Sequence, residues 1–295
     1  MSNSAILRIK NVNKYYNKLH ALNHLSFNIE EGSIHGILGP NGSGKSTLMR
    51  ILAGLIKSWS GSIYFKNELL DYSNPKVLSN FGFMIESPAF YEYLTALENL
   101  MLFANLTQTD SKSIHQALEL VKLEKRKNEK VKNFSYGMKQ RLGIAQTLLH
   151  QPKILILDEP NNGLDPSGIN DMGILINRLQ SEGKTIILST HILSEVESLC
   201  TDVSILKKGN LIISSSINDI QNNSNEFIIK TKEINNAKSI LGNFSKIKII
   251  KQGNDTLTIA SKDHLSFNEL VKMLDNQLPI QSIKKESGLI HFFND

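Results

Sequence analysis

The 295-residue sequence contains one cysteine and no apolar run long enough to cross a bilayer. A single thiol excludes an intramolecular disulfide and any Cys-x-x-Cys metal site. A membrane-spanning helix needs roughly 20 predominantly apolar residues, and residues 1–10 also lack the apolar block of a secretory signal. Since 40% of the residues are hydrophobic, the chain can bury a sizeable core. We therefore expect a folded cytoplasmic protein that does not insert directly into a membrane.

Positive charge is in modest excess and is dispersed along the chain. The sequence has 33 Lys and Arg against 28 Asp and Glu, for a net charge of +5. The densest basic run, Lys122 to Lys132, also contains Glu124 and Glu129. A nucleic-acid-binding domain usually concentrates its basic residues on one face. We therefore expect no nucleic acid partner, and a solvated face near phosphates or an anionic membrane surface accounts for the charge.

The most informative stretch is a complete phosphate-binding loop, G-x-x-x-x-G-K-[ST]. It consists of Gly39, Pro40, Asn41, Gly42, Ser43, Gly44, Lys45, Ser46 and Thr47. A short buried strand is predicted before it and a helix to Ala53 after it, which is the context that the motif needs. The glycines let backbone N–H groups turn toward phosphates, Lys45 can reach the terminal phosphates, and the Ser46 hydroxyl can bind Mg²⁺. The loop predicts binding of a nucleoside triphosphate, and Thr47 at the third glycine position excludes a dinucleotide fingerprint.

Patterns around this loop predict an α/β fold of the P-loop NTPase class. Alternating apolar residues at Ile6–Val12 and Leu25–Ile29, joined by a polar turn at Asn13–Asn17, indicate an antiparallel β segment beside the loop. Helical periodicity from Leu94 to about Lys127 predicts a helical insert within about residues 90–150. The aliphatic run Ile154–Leu157 is typical of a central parallel strand buried on both faces.

The C-terminal part of the sequence predicts a second, smaller domain. Residues Ser214–Asn225 are rich in Ser and Asn, which favours a linker or surface segment. Beyond it the predicted elements follow the order β-α-β-β-α-β, a ferredoxin-like order. We therefore expect domains at residues 5–220 and 221–295, the second being an α+β accessory domain.

Two carboxylates, Asp158 and Glu159, follow the buried strand Ile154–Leu157. Carboxylates at the end of an apolar strand are costly unless a positive group meets them. The expected partner is Mg²⁺, held by Asp158 directly or through water, and Glu159 is then placed to polarise an attacking water. An acidic helix cap is the alternative, and a phosphate loop in the same chain favours the catalytic interpretation.

Ser135, Tyr136, Gly137 and Met138 open an apolar helix that continues through Leu149. The first N–H groups of a helix lack partners, so a serine and glycine there can form a second anion-binding end. Alone, this pattern would be an ordinary N-cap. Its position some twenty residues before Asp158 gives it more weight.

In this order the motifs resemble the ATP-binding subunits of ABC transporters over roughly residues 5–220. The resemblance implies ATP and Mg²⁺ as cofactors and ATP hydrolysis coupled to transport across a membrane. It implies catalytic roles for Lys45, Glu159 and His191, and Mg²⁺ binding by Ser46, Glu86 and Asp158. It further implies that Tyr16 stacks on adenine, that Ser135 to Met138 contact the ATP of a partner subunit, and that Asp165 communicates between the two sites.

The same resemblance implies an assembly at the inner face of the cell membrane. Two ATP-binding subunits, as a homodimer or with a paralogue, would sandwich two ATP molecules and act on separate transmembrane permease subunits. Three departures from the family pattern stand out: Tyr136 and Met138 in the signature, Asn161 in place of Thr, and Glu86 in place of a Mg²⁺-contacting glutamine.

The glutamate at position 86 and the run Phe83–Asn99 are similar to bacitracin-type and lantibiotic exporters, which implies export of an antimicrobial peptide. A neutral Gln-to-Glu change, and a lipid or another peptide as cargo, are open alternatives. A second class is a soluble ABC-type ATPase acting on nucleic acid or a ribosome. Such proteins typically carry two cassettes or a long coiled coil, and this sequence has neither. A P-loop ATPase or kinase outside the ABC family would not account for Ser135–Arg141.

Overall fold

The computed structural model describes residues 5–223, 225–261, 267–274, 280–285, 288–289 and 292. The chain divides into two compact units, Met1–Ser214 and Ser215–Asp295. The first ten strands are β1 (Ala5–Tyr16), β2 (Leu19–Glu30), β3 (Ile34–Leu38), β4 (Ser60–Phe65), β5 (Glu68–Leu69), β6 (Phe81–Met84), β7 (Ile154–Asp158), β8 (Thr185–Thr190), β9 (Asp202–Lys207) and β10 (Asn210–Ser216).

The helices of the first unit are α1 (Lys45–Leu52), α2 (Pro75–Leu78), α3 (Ala96–Thr107), α4 (Ser111–Leu120), α5 (Tyr136–Leu148), α6 (Pro166–Ser181) and α7 (Leu193–Leu199). Short 3-10 turns lie at Glu124–Arg126 and Val131–Asn133. Helices α3, α4 and α5 lie within the range expected for the helical insert. Among the described residues, every helix is too short or too polar to span a bilayer.

The centre of the first unit is a six-stranded sheet in the order β10-β9-β3-β8-β7-β6. Its strands from β9 to β6 pair in parallel. Every residue of β3, β7 and β8 is buried, as expected for central strands covered on both faces. Because parallel strands end at the same edge of a sheet, the residues that follow β3, β7 and β8 meet there. That edge carries the candidate site.

An antiparallel sheet in the order β2-β1-β4-β5 accompanies the central sheet. The predicted polar turn at Asn13–Asn17 is wrong except at Asn17, because β1 continues to Tyr16 and the turn lies at residues 17–18. Asn13 is buried; its side-chain amide donates to the Asn11 carbonyl at 2.8 Å and its Oδ1 accepts from the His24 N–H at 2.9 Å. These polar groups are therefore satisfied within the hairpin, at positions where its register shifts. Since β1 continues through them, Tyr16 lies at the end of the strand.

Of the two alternatives for Ser214–Asn225, a linker or a surface segment, the linker is wrong over most of the stretch, because regular secondary structure occupies it. Strand β10 continues to Ser216, and a helix, α8, occupies Ile217–Asn223. The Ser216 hydroxyl accepts from the Asp219 N–H at 3.0 Å, which satisfies a donor of the first turn. Ile217 and Ile220 are both buried and give the helix an apolar side despite its polar composition.

The remaining elements of the second unit are β11 (Glu226–Thr231), α9 (Ile234–Gly242), β12 (Ile247–Gln252), β13 (Thr256–Ser261), α10 (Phe267–Leu274) and β14 (Ile280–Lys285). The four strands form an antiparallel sheet in the order β12-β13-β11-β14. Phe227, Ile229, Leu257 and Ile259 from the two middle strands are buried in one apolar cluster with Leu241 of α9. This unit therefore has a core of its own.

Candidate active site

The phosphate loop connects the end of β3 to the first turn of α1, and its glycines are required by its shape. Gly42 and Gly44 have φ angles of 79° and 109°, in the region that favours glycine. A Cβ at Gly44 would lie 2.7 Å from both the Ala21 carbonyl oxygen and Leu22 Cδ2. No side chain caps the N-terminus of α1, so its first N–H groups are available to an anion.

Lys45 is held inside the loop by backbone carbonyls. Its Nζ donates to the carbonyl oxygens of Gly39 and Pro40, at 2.8 and 3.3 Å, and lies 3.7 Å from Glu159 Oε1. Burial lowers the pKa of Lys45, and the nearby carboxylates of Glu159 and Asp158 oppose that shift. The ammonium is therefore fixed within the loop by these contacts.

Ser46 and Asp158 offer the oxygen ligands that suit a magnesium ion. The Ser46 hydroxyl donates to Asp158 Oδ1 at 3.5 Å, so the two groups lie side by side at the start of α1 and the end of β7. Among the described residues, no group of three or more His, Cys, Asp or Glu side chains could hold a metal by itself. A hydroxyl and one carboxylate match the way Mg²⁺ is usually held, with phosphate oxygens and waters completing the shell.

Glu159 lies between the phosphate loop and His191. Its Oε1 is 3.7 Å from Lys45 Nζ and 3.4 Å from His191 Nδ1. The backbone of Glu159 has a φ angle of 48°, a left-handed conformation that is costly for a glutamate and is found preferentially at functional sites. The structure thus brings together Lys45, Ser46, Asp158, Glu159 and His191 at one edge of the central sheet.

A cavity of about 440 Å³ opens above the phosphate loop. Its wall includes Tyr16, which is 41% exposed, so the predicted adenine-stacking residue lies in the same cavity as Lys45 and Glu159. Lys14 Nζ lies 4.6 Å from the centre of the Tyr16 ring, a distance at which a cation is attracted to an aromatic face.

Glu86 is placed beside α1, the helix that begins at Lys45. Its carboxylate forms an ion pair with Arg50, which lies one turn after Ser46 on α1. Glu86 has a φ angle of 68°, so its backbone is also left-handed. The structure therefore brings Glu86 close to α1, the helix after the phosphate loop, and pairs its carboxylate with the guanidinium of Arg50.

Ser135, Tyr136 and Gly137 of the signature line a second cavity, of about 360 Å³, which among the described residues shares no lining residue with the first. Ser135 caps α5 by accepting from the Met138 N–H at 3.3 Å, and Asp165 caps α6 by accepting from the Gly168 N–H at 2.8 Å. The serine-glycine helix end and the phosphate loop of one chain therefore lie apart.

Tyr136 connects three segments around that second cavity. Its hydroxyl lies 3.1 Å from Ser87 Oγ and accepts from Gln140 Nε2 at 3.0 Å. A Cβ at Gly163 would lie 3.0 Å from the Tyr136 ring. Tyr136, one of the two departures from the family signature, thus links the Glu86 segment to the loop before α6.

Sequence reasoning missed several residues of this site. Ser189, at the end of β8, contacts both acidic residues; His20 and Lys208 line the nucleotide cavity; and Arg50 pairs with Glu86. The available signal for Ser189 was its place between the aliphatic run Ile186–Leu188 and His191. His20, Lys208 and Arg50 belong to no pattern that would single them out.

Comparison with known proteins gives a consistent result. Residues 22–162 match the family model described as ABC transporter. A bacitracin transport ATP-binding protein of Bacillus licheniformis is 44% identical over 71% of this chain and 69% of its own length. A lantibiotic transport ATP-binding protein of Streptococcus pyogenes is 42% identical over 74% of this chain and 93% of its own length.

Solved structures agree with these relatives. CbiO1 of Clostridium perfringens, part of the ABC transporter complex cbiONQ, has a TM-score of 0.66 and 33% identity over 72% of this chain and 88% of its own. A dimeric ATP-binding cassette bound to ADP and Pi in a post-hydrolysis state has a TM-score of 0.63 and 29% identity over 71% of this chain and 98% of its own. The predicted P-loop NTPase fold of the larger domain is confirmed.

Proposed function

The chain belongs to the ATP-binding subunits of ABC transporters, and from that premise we propose that it powers the export of an antimicrobial peptide. Proteins of this family bind ATP and hydrolyse it to drive transport, and this chain is an ATPase of that family. The observation that carries the proposed cargo is the identity of 42–44% to lantibiotic and bacitracin transport proteins. Glu86, the feature of the sequence that resembles this subgroup, supports it.

The geometry around the phosphate loop supports a role for each charged residue. Lys45, fixed by two carbonyls, would bind the terminal phosphates, and Ser46 and Asp158 would hold Mg²⁺, which neutralises phosphate charge when bound. Glu159 would orient the attacking water and accept its proton. His191, 3.4 Å from the Glu159 carboxylate, would keep that side chain directed toward the terminal phosphate.

Each complete site would need two subunits. Homologous cassettes form dimers, and in this chain the Ser135–Met138 helix end and the phosphate loop open onto different cavities. Ser135 and Gly137 of one subunit would therefore contact the ATP held by the other. Asp165, which caps the helix after that cavity, would communicate between the two sites. The second subunit would be an identical copy or a paralogue.

Separate transmembrane permease subunits would receive the motion of this dimer, and the protein would then lie at the inner face of the cell membrane. The segment after Glu86 exposes large apolar side chains: Tyr91 is 53% exposed and Tyr93 is 66% exposed. Met101 and Leu106 of α3 are exposed as well. An exposed apolar surface of this kind suits docking of an apolar partner element.

The test is co-purification of the full chain with the membrane proteins encoded beside it, followed by ATPase assays of the reconstituted complex. We expect bacitracin or a lantibiotic to raise the ATPase rate, with Glu159→Gln as the inactive control. Stimulation by lipid alone would overturn the proposed cargo. Copurification with ribosomes or nucleic acid, and with no membrane protein, would overturn the transporter role.

A further inference from the structure

We propose that Ser189 is a positioning residue that holds both acidic residues of the site in their working geometry. The inference rests on the proposed roles of Asp158 and Glu159 in ATP hydrolysis. Ser189 belongs to no recognised part of the phosphate loop or signature, and its hydroxyl bonds to Asp158 and Glu159. Its importance follows from the two hydrogen bonds that it makes.

The position of Ser189 is set by the register of the central sheet. In the parallel pairing of β7 and β8, Asp158 lies opposite Ser189, and the serine is fully buried. Its hydroxyl donates to Asp158 Oδ1 at 2.5 Å. The same oxygen of Ser189 accepts the Glu159 backbone N–H at 2.9 Å. One hydroxyl therefore binds two consecutive residues of the neighbouring strand, using its proton for one and a lone pair for the other.

The bond to Asp158 fixes the rotation of that carboxylate. Asp158 is 7% exposed, so water cannot replace a missing donor without cost. Oδ1 accepts from Ser189 and lies 3.5 Å from the Ser46 hydroxyl. With Oδ1 held in this way, the carboxylate keeps one orientation toward the start of α1, where Ser46 lies.

The bond to Glu159 anchors a strained backbone. A φ angle of 48° is unfavourable for a glutamate, and such conformations persist only where the surroundings impose them. Ser189 accepts the N–H of this residue at the point where the chain leaves β7. Without that acceptor the N–H would lack its partner, and the peptide could relax. The Glu159 carboxylate would then leave its position 3.7 Å from Lys45 Nζ.

The other side of the strand end is fixed independently. Thr190 Oγ1 donates to Glu195 Oε2 at 2.6 Å and accepts the Ile192 N–H at 3.0 Å. These bonds join the end of β8 to α7 and hold the turn that carries His191. Ser189 thus acts from a rigid support, and its hydroxyl is the link between that support and the acidic residues.

The test compares three variants of the full chain by ATPase kinetics, ATP binding and thermal melting. Ser189→Ala removes the hydroxyl, and Ser189→Thr keeps it on a residue that suits a strand. The matched control is Ser204→Ala, because Ser204 is another fully buried serine of the same sheet, bonded to His35 and Ser214 at 2.9 Å each.

We expect Ser189→Ala to lower kcat about tenfold or more while the Kd for ATP changes by less than about threefold, as expected for a loss confined to the reacting geometry. Ser189→Thr should recover most of kcat, and Ser204→Ala should keep it. If Ser189→Ala melts far below the wild type, Ser189→Cys, which keeps a weak donor of similar size, replaces it with a smaller expected loss.

A kcat of Ser189→Ala within twofold of the wild type would overturn the inference. So would an equal loss in Ser204→Ala, which would mean that any buried hydroxyl matters, or a Ser189→Thr variant that melts normally but stays slow. Glu159→Gln, assayed in parallel, separates the proposed role of Glu159 in hydrolysis from the proposed role of Ser189 in positioning. If Glu159→Gln turns over normally, the role of Glu159 fails; if it is inactive while Ser189→Ala is normal, only the role of Ser189 fails.

Discussion

Replacing Lys45 directly tests whether the phosphate loop binds ATP, because the ammonium of Lys45 is buried within that loop. The side chain is 4% exposed and its Nζ donates to two backbone carbonyls of the loop. An ammonium has three donors, so these bonds orient the group and leave a donor for an incoming phosphate. Lys45→Ala removes the charge and this orientation together.

The expected loss can be bounded from the bonds involved. A hydrogen bond to a charged group contributes about 1.5–3 kcal/mol, and 1.4 kcal/mol corresponds to a tenfold change in affinity. Losing one such bond to phosphate should therefore raise the Kd for ATP about 10- to 100-fold. The carbonyl oxygens of Gly39 and Pro40 lose their Lys45 donor as well. Because both changes occur in the phosphate loop, the increase in the Kd for ATP should be measurable without an assay of hydrolysis.

Calorimetric titration of the full chain with ATP and Mg²⁺ measures this change. Lys184→Ala is the matched control: Lys184 Nζ also donates to a backbone carbonyl, of Pro152 at 2.8 Å, and burial lowers its pKa as it does for Lys45. Lys184 lines a different cavity, so its removal should leave ATP affinity unchanged. A folded Lys45→Ala protein that binds ATP within threefold of the wild type would refute the role of Lys45.

Three further changes test other parts of the molecule. Glu159→Gln should bind ATP but hydrolyse it at least about 100-fold more slowly, giving an ATP-stabilised dimer in size-exclusion chromatography; normal turnover would exclude Glu159 as the base. Glu86→Gln breaks the ion pair with Arg50, which lies one turn after Ser46 on α1, and should shift the Mg²⁺ dependence of the ATPase rate by changing how that helix is held beside the proposed Mg²⁺ ligand Ser46; an identical titration would make the carboxylate incidental. The third change is His35→Leu. Burial lowers the pKa of His35 from 6.5 to about 4, so as pH falls below about 6.5 the histidine is protonated in the unfolded chain but stays neutral in the folded chain. From pH 7.5 to 5.0 this should cost the wild type about 2 kcal/mol of unfolding free energy that His35→Leu does not lose; equal losses in urea titrations would contradict it.

Local motifs could be placed from the sequence because their function depends on local geometry. The phosphate loop needs glycine where φ is positive, and Gly42 and Gly44 meet that need. Asp158 could be assigned to the edge near the loop because it follows the aliphatic run Ile154–Leu157 and parallel strands end at one edge, whereas His191 was assigned through the family resemblance. The residue types at this edge of the sheet could therefore be predicted from the sequence before the strand order was known.

Contacts between distant polar residues could not be predicted in the same way. The bond from Ser189 to Asp158 depends on the register of two strands, and the hydroxyl contact of Tyr136 with Ser87 depends on how an inserted helix meets the core. The two wrong expectations share another cause. Polar residues at Asn13 and Ser216 were taken as marks of irregular chain, but both satisfy backbone groups in ordered segments.

At Glu159 the residue that favours ATP hydrolysis is not the residue that favours stability, because its backbone is left-handed. A glutamate held this way costs about 1–3 kcal/mol, and glycine or asparagine would adopt the same conformation more readily. A copy of this chain freed from the need to hydrolyse ATP would gain stability by replacing Glu159 with either residue. In asymmetric pairs of such subunits, residue 159 is therefore where a copy that only binds ATP is expected to diverge first.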